Sequence, residues 1–516
     1  MQPAASAKSE TSKRHLAAAG VMLVIFLFAI DATIVSTAMP TIVAKLGGLD
    51  LYSWVFSIYM LTSALATPVC GKLADLFSKR RLMLAGIGVF LLGSLLCGVA
   101  NSMEAMIAFR AVQGIGGGAI YALSFIVVGV LFPADQRAKF QGYISGIWGI
   151  ASILGPLAGG LIVEYSNWRW IFFVNLPLVV IATALIIVGL KEARATRREA
   201  KLDLAGAGAL LIGLLLIFYA LTESAHRRHP LGSETVGLML AGCAVLVAFY
   251  FVERRAAEPI IPLDLFHVRL YKGATAVSTL CAMGVFGAIG YLPLYLQGVR
   301  GMSASGTGLV VLALSMGWTI GSFSAGHSID RIGYRLVAAT GMSFLAVGYL
   351  VLITPQLNAG ILAVVLGASL IGIGMGLANL TMLVAAQSTV APQRIGVATS
   401  TVMLFRTFGA AFSVSLLGTV MLSQMHNSLT LLRSAHPNVA ASVWDKLANP
   451  QNLLEPATRN LVPSDLLPRL VASLDDALWY AFLTGLILMI VGVAASLALS
   501  NNRSASAQRP KDSSGV

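Results

Sequence analysis

From Leu16 to Leu499 the chain is a succession of apolar stretches about twenty residues long, separated by short polar or basic segments. At 1.5 Å per residue, such a stretch in helical form crosses roughly 30 Å of hydrocarbon. Backbone groups in hydrocarbon must find partners within the protein, so only helices and closed barrels span a bilayer. Continuous apolar runs of this length, without alternation, select helices. Fourteen are read: 16–38, 53–74, 82–100, 105–130, 138–163, 171–190, 204–222, 235–252, 273–296, 307–328, 336–354, 360–387, 397–423 and 477–499. Charged residues make up 11% of the chain, against about 25% in a soluble domain. So few charges cannot cover a water-facing surface. The expected fold class is an all-α integral membrane protein with 14 transmembrane helices, multi-pass in the cytoplasmic (inner) membrane.

Lysine and arginine decide the orientation, because cytoplasmic loops carry their excess. With the N-terminus in the cytoplasm, that face collects Lys79, Arg80, Arg81, Arg137, Lys139, Arg194, Arg197, Arg198, Arg254 and Arg255. An even number of spans returns the C-terminus to the same side. The net charge of +13 is thus a topogenic label facing anionic lipid, and no nucleic-acid partner is implied. Lys8, Lys13 and Arg14 ahead of the first run imitate a signal peptide. The run is longer than a signal core of about 7–15 residues, so it is read as an uncleaved first span. Cys70, Cys97, Cys243 and Cys281 lie in or beside apolar runs without metal-ligand or CxxC spacing, and the bland role of small packing residues is expected. No Walker A loop, HExxH or GxSxG motif occurs, so no ATP site, metal or enzymatic centre is expected.

An internal repeat divides the chain. Gly71-Lys72-Leu73-Ala74-Asp75 and Lys79-Arg80-Arg81 close the second span, and Gly326 to Asp330-Arg331-Ile332-Gly333 close the tenth. If spans seven and eight are an insertion, the tenth becomes the second span of a second half. The organisation then reads as a tail 1–15, a six-helix half 16–190, a linker 191–203, two inserted helices 204–253, a linker 254–272, a pseudo-symmetric six-helix half 273–499 and a tail 500–516. The proline-rich segment 424–476 is too polar to span and is expected outside, as a hairpin or cap.

These residues resemble the major facilitator superfamily over nearly the whole chain. The loop Gly71…Asp75…Lys79-Arg80-Arg81, the run Arg110-Ala111-Val112-Gln113-Gly114-Ile115-Gly116 and the run Gly155-Pro156-Leu157-Ala158-Gly159-Gly160 carry the likeness. The last is similar to the antiporter motif of the family's exporters. Asp31-Ala32-Thr33-Ile34-Val35 with Pro40, and Trp168 to Asn175 with Pro177, resemble the fourteen-helix drug:proton antiporters. Leu76 and Ser78 depart from the pattern, which commonly has Arg and Gly there. The resemblance implies alternating access between two halves and a proton gradient as energy source, with no cofactor.

Asp31 is the sharpest chemical feature. A carboxylate near a helix centre costs about 2.5–3.5 kcal/mol on insertion scales. Asp31 and Arg110 lie at similar depth, each about 10 Å inside the outer end of its span. Asp31 is expected to couple protons, with Arg110 tuning its proton affinity; the rival role is a static buried pair. Gly71, Asp75, Lys79, Arg80, Arg81, Asp330 and Arg331 are expected to latch the halves at the inner face, Asp75 accepting from a helix N-terminus of the opposite half. Gly155, Pro156, Gly159 and Gly160 bare one face of span five for packing on the other half. Tyr59, Gln113, Trp148, Tyr291, Trp318, Asn379 and Arg406 are candidates for a substrate cavity, although packing is the commoner role for any one of them. The expected cargo is amphiphilic, cationic drugs or toxic compounds included, since Asp31 offers one negative charge. The alternatives are an exporter of one metabolite or siderophore, an uptake symporter, or a non-transporting sensor or assembly partner. The long outer segment offers a docking place for a periplasmic adaptor, a partner that composition alone does not prove.

Overall fold

A computed structural model describes residues 2–47, 51–132, 134–190, 203–224, 232–256, 259, 261, 263–302, 304–354, 360–436, 439–440, 443–444, 447, 462–463 and 465–499. The linker 191–203, apart from Asp203, and the tail 500–516 lie outside them. Among the described residues the protein is helical: α1 Gln2–Leu46, α2 Tyr52–Leu76, α3 Lys79–Gly98, α4 Met103–Leu131, α5 Ala134–Tyr165, α6 Trp170–Phe173, α7 Asn175–Gly189, α8 Leu204–Ser224, α9 Ser233–Glu253, α10 Arg269–Leu294, α11 Ala304–Ile353, α12 Ile361–Ser388, α13 Ile395–Ala435 and α14 Leu467–Leu497. Short 3-10 turns at Leu263–His267 and Pro392–Arg394 precede α10 and α13.

Each predicted apolar segment overlaps a helix, yet only eleven helices are long and apolar enough to cross a membrane among the described residues. Three places account for the difference. Gly333, at φ 83° and ψ 166°, breaks α11 into two helices that run on as one. The apolar part of α8 is Ala205–Ile217, which is short. The 32-residue α5 is not among the eleven. Helix ends also exceed the apolar runs. α1 reaches back to Gln2, into the expected tail. α13 continues to Ala435 and α14 begins at Leu467, so both ends of 424–476 are helical. Between them, of the residues described, Trp444, Leu447, Val462 and Leu466 are buried in the same apolar cluster as Leu470 and Leu474.

Ser78 and Ser102 cap α3 and α4, accepting from the amides of Arg81 and Ala105 at 3.2 Å each. These caps stabilise donors that have no partner inside the helix. Helices then approach through missing side chains, as packing in lipid requires. A Cβ at Gly114 would lie 2.5 Å from the Tyr59 carbonyl oxygen, and one at Gly372 would lie 2.0 Å from that of Leu314. The close approach of α4 to α2 thus has a counterpart in that of α12 to the first part of α11. The string Trp168–Asn175 forms a corner. Trp168 and Phe172 are buried, and Arg169 lies over the Trp168 ring and donates to the Ala100 carbonyl at 2.8 Å. Asn175 donates to Ser94 at 2.9 Å.

Candidate functional site

Residues 110, 113, 117 and 121 fall on one face of α4 by the helical repeat. Arg110, Gln113 and Tyr121 therefore point the same way, with Gly117 leaving room for Phe28 and Tyr59. α1 presents Asp31 to this face. Arg110 Nη1 donates to Asp31 Oδ2 at 2.7 Å, and Gln113 Nε2 donates to Asp31 Oδ1 at 2.8 Å. Arg110 Nη1 also donates to Gln113 Oε1 at 2.9 Å, and its guanidinium lies 4.1 Å from the Tyr59 ring centroid. Asp31 is 0% exposed and Arg110 1%. Both carboxylate oxygens are thus engaged, and the only described charge against the carboxylate is one cation. Gln113 and Tyr59, expected to line a cavity, take part in this network. The contact that would let a cationic cargo compete for Asp31 is absent in this state, because its acceptor positions face protein donors.

An aromatic series leads away from the pair. Tyr59 stacks on Phe28 at 5.9 Å, and Phe28 stacks on Tyr121 at 5.0 Å. Trp148 of α5 meets both Phe28 and Tyr121 edge-on, and stacks on Trp318 of α11 at 6.4 Å. The Tyr121 hydroxyl receives a hydrogen bond from Arg406 of α13, which also donates to Asn379 Oδ1 at 3.2 Å. Among the described residues Arg406 meets neither Asp31 nor a backbone carbonyl. Trp148, Trp318, Asn379 and Arg406 therefore come together, joined by Phe28 and Tyr121, which sequence reasoning missed. Their signal was positional: Tyr121 shares the stripe of Arg110 and Gln113, and Phe28 lies three residues before Asp31. Tyr291 lies apart, its hydroxyl donating to the Val414 carbonyl at 2.6 Å.

The second constellation is at the far end of α2. Asp75 Oδ1 accepts from the amide of Gly396 at 2.8 Å, and Oδ2 accepts from that of Val397 at 2.7 Å. Both amides lie in the first turn of α13, where unpaired N–H groups and the helix dipole favour a carboxylate. A Cβ on Gly396 would lie 2.2 Å from Asp75 Oδ1, and one on Gly71 would lie 1.9 Å from Ser400 Oγ. Two glycines on opposing helices therefore permit the contact. Beside it, Arg394 grips Asp264 with both terminal nitrogens, at 2.7 and 2.9 Å. This hydrogen-bonded guanidinium holds the Asp264 carboxyl below the usual carboxylate range. Lys79, Arg80 and Arg81 form the first turn of α3 next to Asp75. Asp330, half-buried, and Arg331, exposed, occupy the corresponding place before Gly333.

The glycine face of α5 packs differently from expectation. A Cβ on Gly155 would meet Thr33 Oγ1 of α1 at 2.0 Å, so this glycine faces its own half, and one on Gly160 would meet nothing within 4 Å. Gly159 is buried, and the side chain of Pro156 lies outside what is described. The approach of α5 to α11 is made earlier, where Gly142, Gly146 and Gly149 lie against Ser322, Phe323 and Thr319. Small residues at 142–149 thus make the close approach to α11. Among the described residues no group of three metal-ligating side chains converges.

Comparison with known proteins agrees with this architecture. The family model described as Major Facilitator Superfamily matches residues 21–414. The chain is 36% identical to the Multidrug transporter protein MdtP of Bacillus subtilis (strain 168), over 98% of this chain and 97% of that protein. It is 32% identical to Multidrug resistance protein 3 of the same organism, over 94% of each. Among solved structures, the human organic anion transporter MFSD10 superposes with a TM-score of 0.62 at 15% identity, covering 94% of this chain and 99% of that one, a likeness of fold alone. On the family pattern and on relatives matched nearly end to end, the chain belongs to the major facilitator superfamily.

Proposed function

We propose that the protein is a proton-coupled antiporter that exports amphiphilic drugs and other toxic compounds across the cytoplasmic membrane by alternating access. In this reading the helices form fourteen spans in a six, two, six arrangement, with both termini cytoplasmic. The observation that carries it is the Asp31–Arg110–Gln113 network, sealed inside one half. An acid placed at such cost in a membrane interior is a functional group by default, and the multidrug relatives supply the class of cargo.

The geometry supports a sequence of events. With Asp31 ionised, the pair is neutral as a whole and the first half is packed around it. A proton on Asp31 removes the charge that Arg110 answers and leaves a buried cation uncompensated, which favours a rearrangement. Arg110 rests on Tyr59, and the packed series Tyr59–Phe28–Tyr121 ends on Arg406 of the second half. Movement at the pair thus reaches the interface between halves. The Asp75–α13 contact holds that interface shut at one end, and its release opens the other access state, as rocking of two repeats about a central site requires.

The test is dye efflux from cells, or dye uptake into everted vesicles, under an imposed pH gradient. Asp31→Asn is expected to remain in the membrane and to lose gradient-driven efflux. Wild-type rates from that variant would remove the coupling role of Asp31.

A further inference from the structure

We infer that the cargo site is selective for amphiphilic organic acids, with Arg406 receiving their carboxylate; this narrows the substrate class of the exporter proposed above and rests on that reading. From Arg269 to Ala435 the chain contains one acidic residue, Asp330, and it lies at the end of its helix before Gly333. Arg406 sits mid-way along its span, 8% exposed. Among the described residues it has no acid within ion-pair distance, and its recorded partners are the neutral Asn379 and Tyr121. Across the interface, the Asp31 charge is already answered by Arg110. The buried mid-span charges Asp31, Arg110 and Arg406 thus leave one positive charge without a counter-charge.

A buried cation without a counter-charge is costly, and nothing described in the second half relieves it. A carboxylate does, and the guanidinium fork matches it bidentately. The surroundings fit the rest of such a molecule. The Tyr121 ring lies 5.7 Å from the guanidinium and continues through Phe28 and Trp148 to Trp318, an aromatic cluster that suits the apolar part of such a molecule. Among the described residues the buried Trp318 indole N–H has no acceptor, a donor left for a polar atom of the cargo. Because Arg406 reaches across to Tyr121, an incoming carboxylate replaces the tyrosine hydroxyl and loosens a contact between the halves. Cargo binding and the conformational switch then share one residue.

The experiment uses the full chain in nanodiscs and three matched probes: pyrenebutyrate, its methyl ester, and a pyrenylmethyl trimethylammonium salt. Binding is read by energy transfer from protein tryptophan to pyrene, and transport by probe-dependent proton movement in proteoliposomes. The wild type is expected to bind pyrenebutyrate at least tenfold more tightly than the ester, and the cation most weakly. Arg406→Gln is expected to erase the preference for acid over ester while ester affinity stays within twofold; Arg406→Lys keeps part of the preference. Equal wild-type binding of acid and ester, or a cation preference, overturns the inference while leaving export intact. An equal loss of all three probes in Arg406→Gln also overturns it, as a merely structural role predicts. Failure of the wild type to bind or move any probe would remove the export reading, and this inference with it.

Discussion

Neutralising Asp31 and Arg110 singly and together separates a structural pair from a proton carrier. Asp31→Asn keeps the shape but leaves Arg110, 1% exposed, without its only described counter-charge. Removing one partner of a buried pair costs about 3–5 kcal/mol, and Arg110→Gln should cost a similar amount by stranding Asp31. The double variant strands neither charge. It retains amide hydrogen bonds among positions 31, 110 and 113, so its stability should return to within about 1–2 kcal/mol of wild type, since replaced buried pairs are often near neutral. Thermal unfolding in detergent, run as a double-mutant cycle, reads this as a coupling energy of several kcal/mol. Efflux under a pH gradient reads the other half of the argument. A static pair predicts that the restored double variant also recovers gradient-driven efflux. A proton carrier predicts that stability returns and gradient-driven efflux does not. Recovery of both would refute the coupling role, and additive destabilisation would refute the electrostatic account of the network.

Three further outcomes follow from other contacts. Gly396→Ala places a methyl 2.2 Å from Asp75 Oδ1, so the α2–α13 contact should open; spin-label distances across that end should shift to the separated population, and Asp75→Ala, which loses two charge-assisted bonds worth about 1.5–3 kcal/mol each, should shift the same way. Gly114→Val drives side-chain atoms into the Tyr59 carbonyl and should destabilise the first half by about 1–3 kcal/mol, read as a lowered melting temperature. The Asp264–Arg394 pair is exposed, at 61% and 43%, and should contribute no more than about 1 kcal/mol. Because the Asp264 carboxyl is held low, the wild-type advantage over Asp264→Asn should be full above the ordinary carboxylate value of about 3.9. It should fade as pH falls through the lowered value, and shrink in high salt; an advantage that persists unchanged in acid would discount the pair.

The helices were legible along the chain because the requirement is local: about twenty apolar residues either bridge hydrocarbon or they do not. Asp31 and Arg110 stood out for the same reason, each being a charge in a stretch that tolerates none. The repeat of Gly71–Asp75 at Gly326–Asp330 was likewise legible in one dimension. Cavity residues were harder to assign. Tyr59, Gln113 and Tyr291 are polar or aromatic in mid-span like Trp318 and Asn379, and one-dimensional position does not say which way a helix face turns. Rotation about each helix axis is set by packing against neighbours, and this put Gln113 on Asp31 and Tyr291 on the Val414 carbonyl.

The amino-acid sequence by itself determined the solvent of this protein, the helical class, and the burial of the mid-span charges Asp31, Arg110 and Arg406. Those are consequences of transfer free energies, which depend on residues singly or in runs. The tertiary structure alone decided which partner each buried charge has. Asp31 is satisfied twice over, Asp75 sits on the start of α13 more than three hundred residues away in the chain, and Arg406 is left with neutral neighbours. Pairing energies fall off within a few ångströms, so they are settled only when helices distant in sequence are brought side by side.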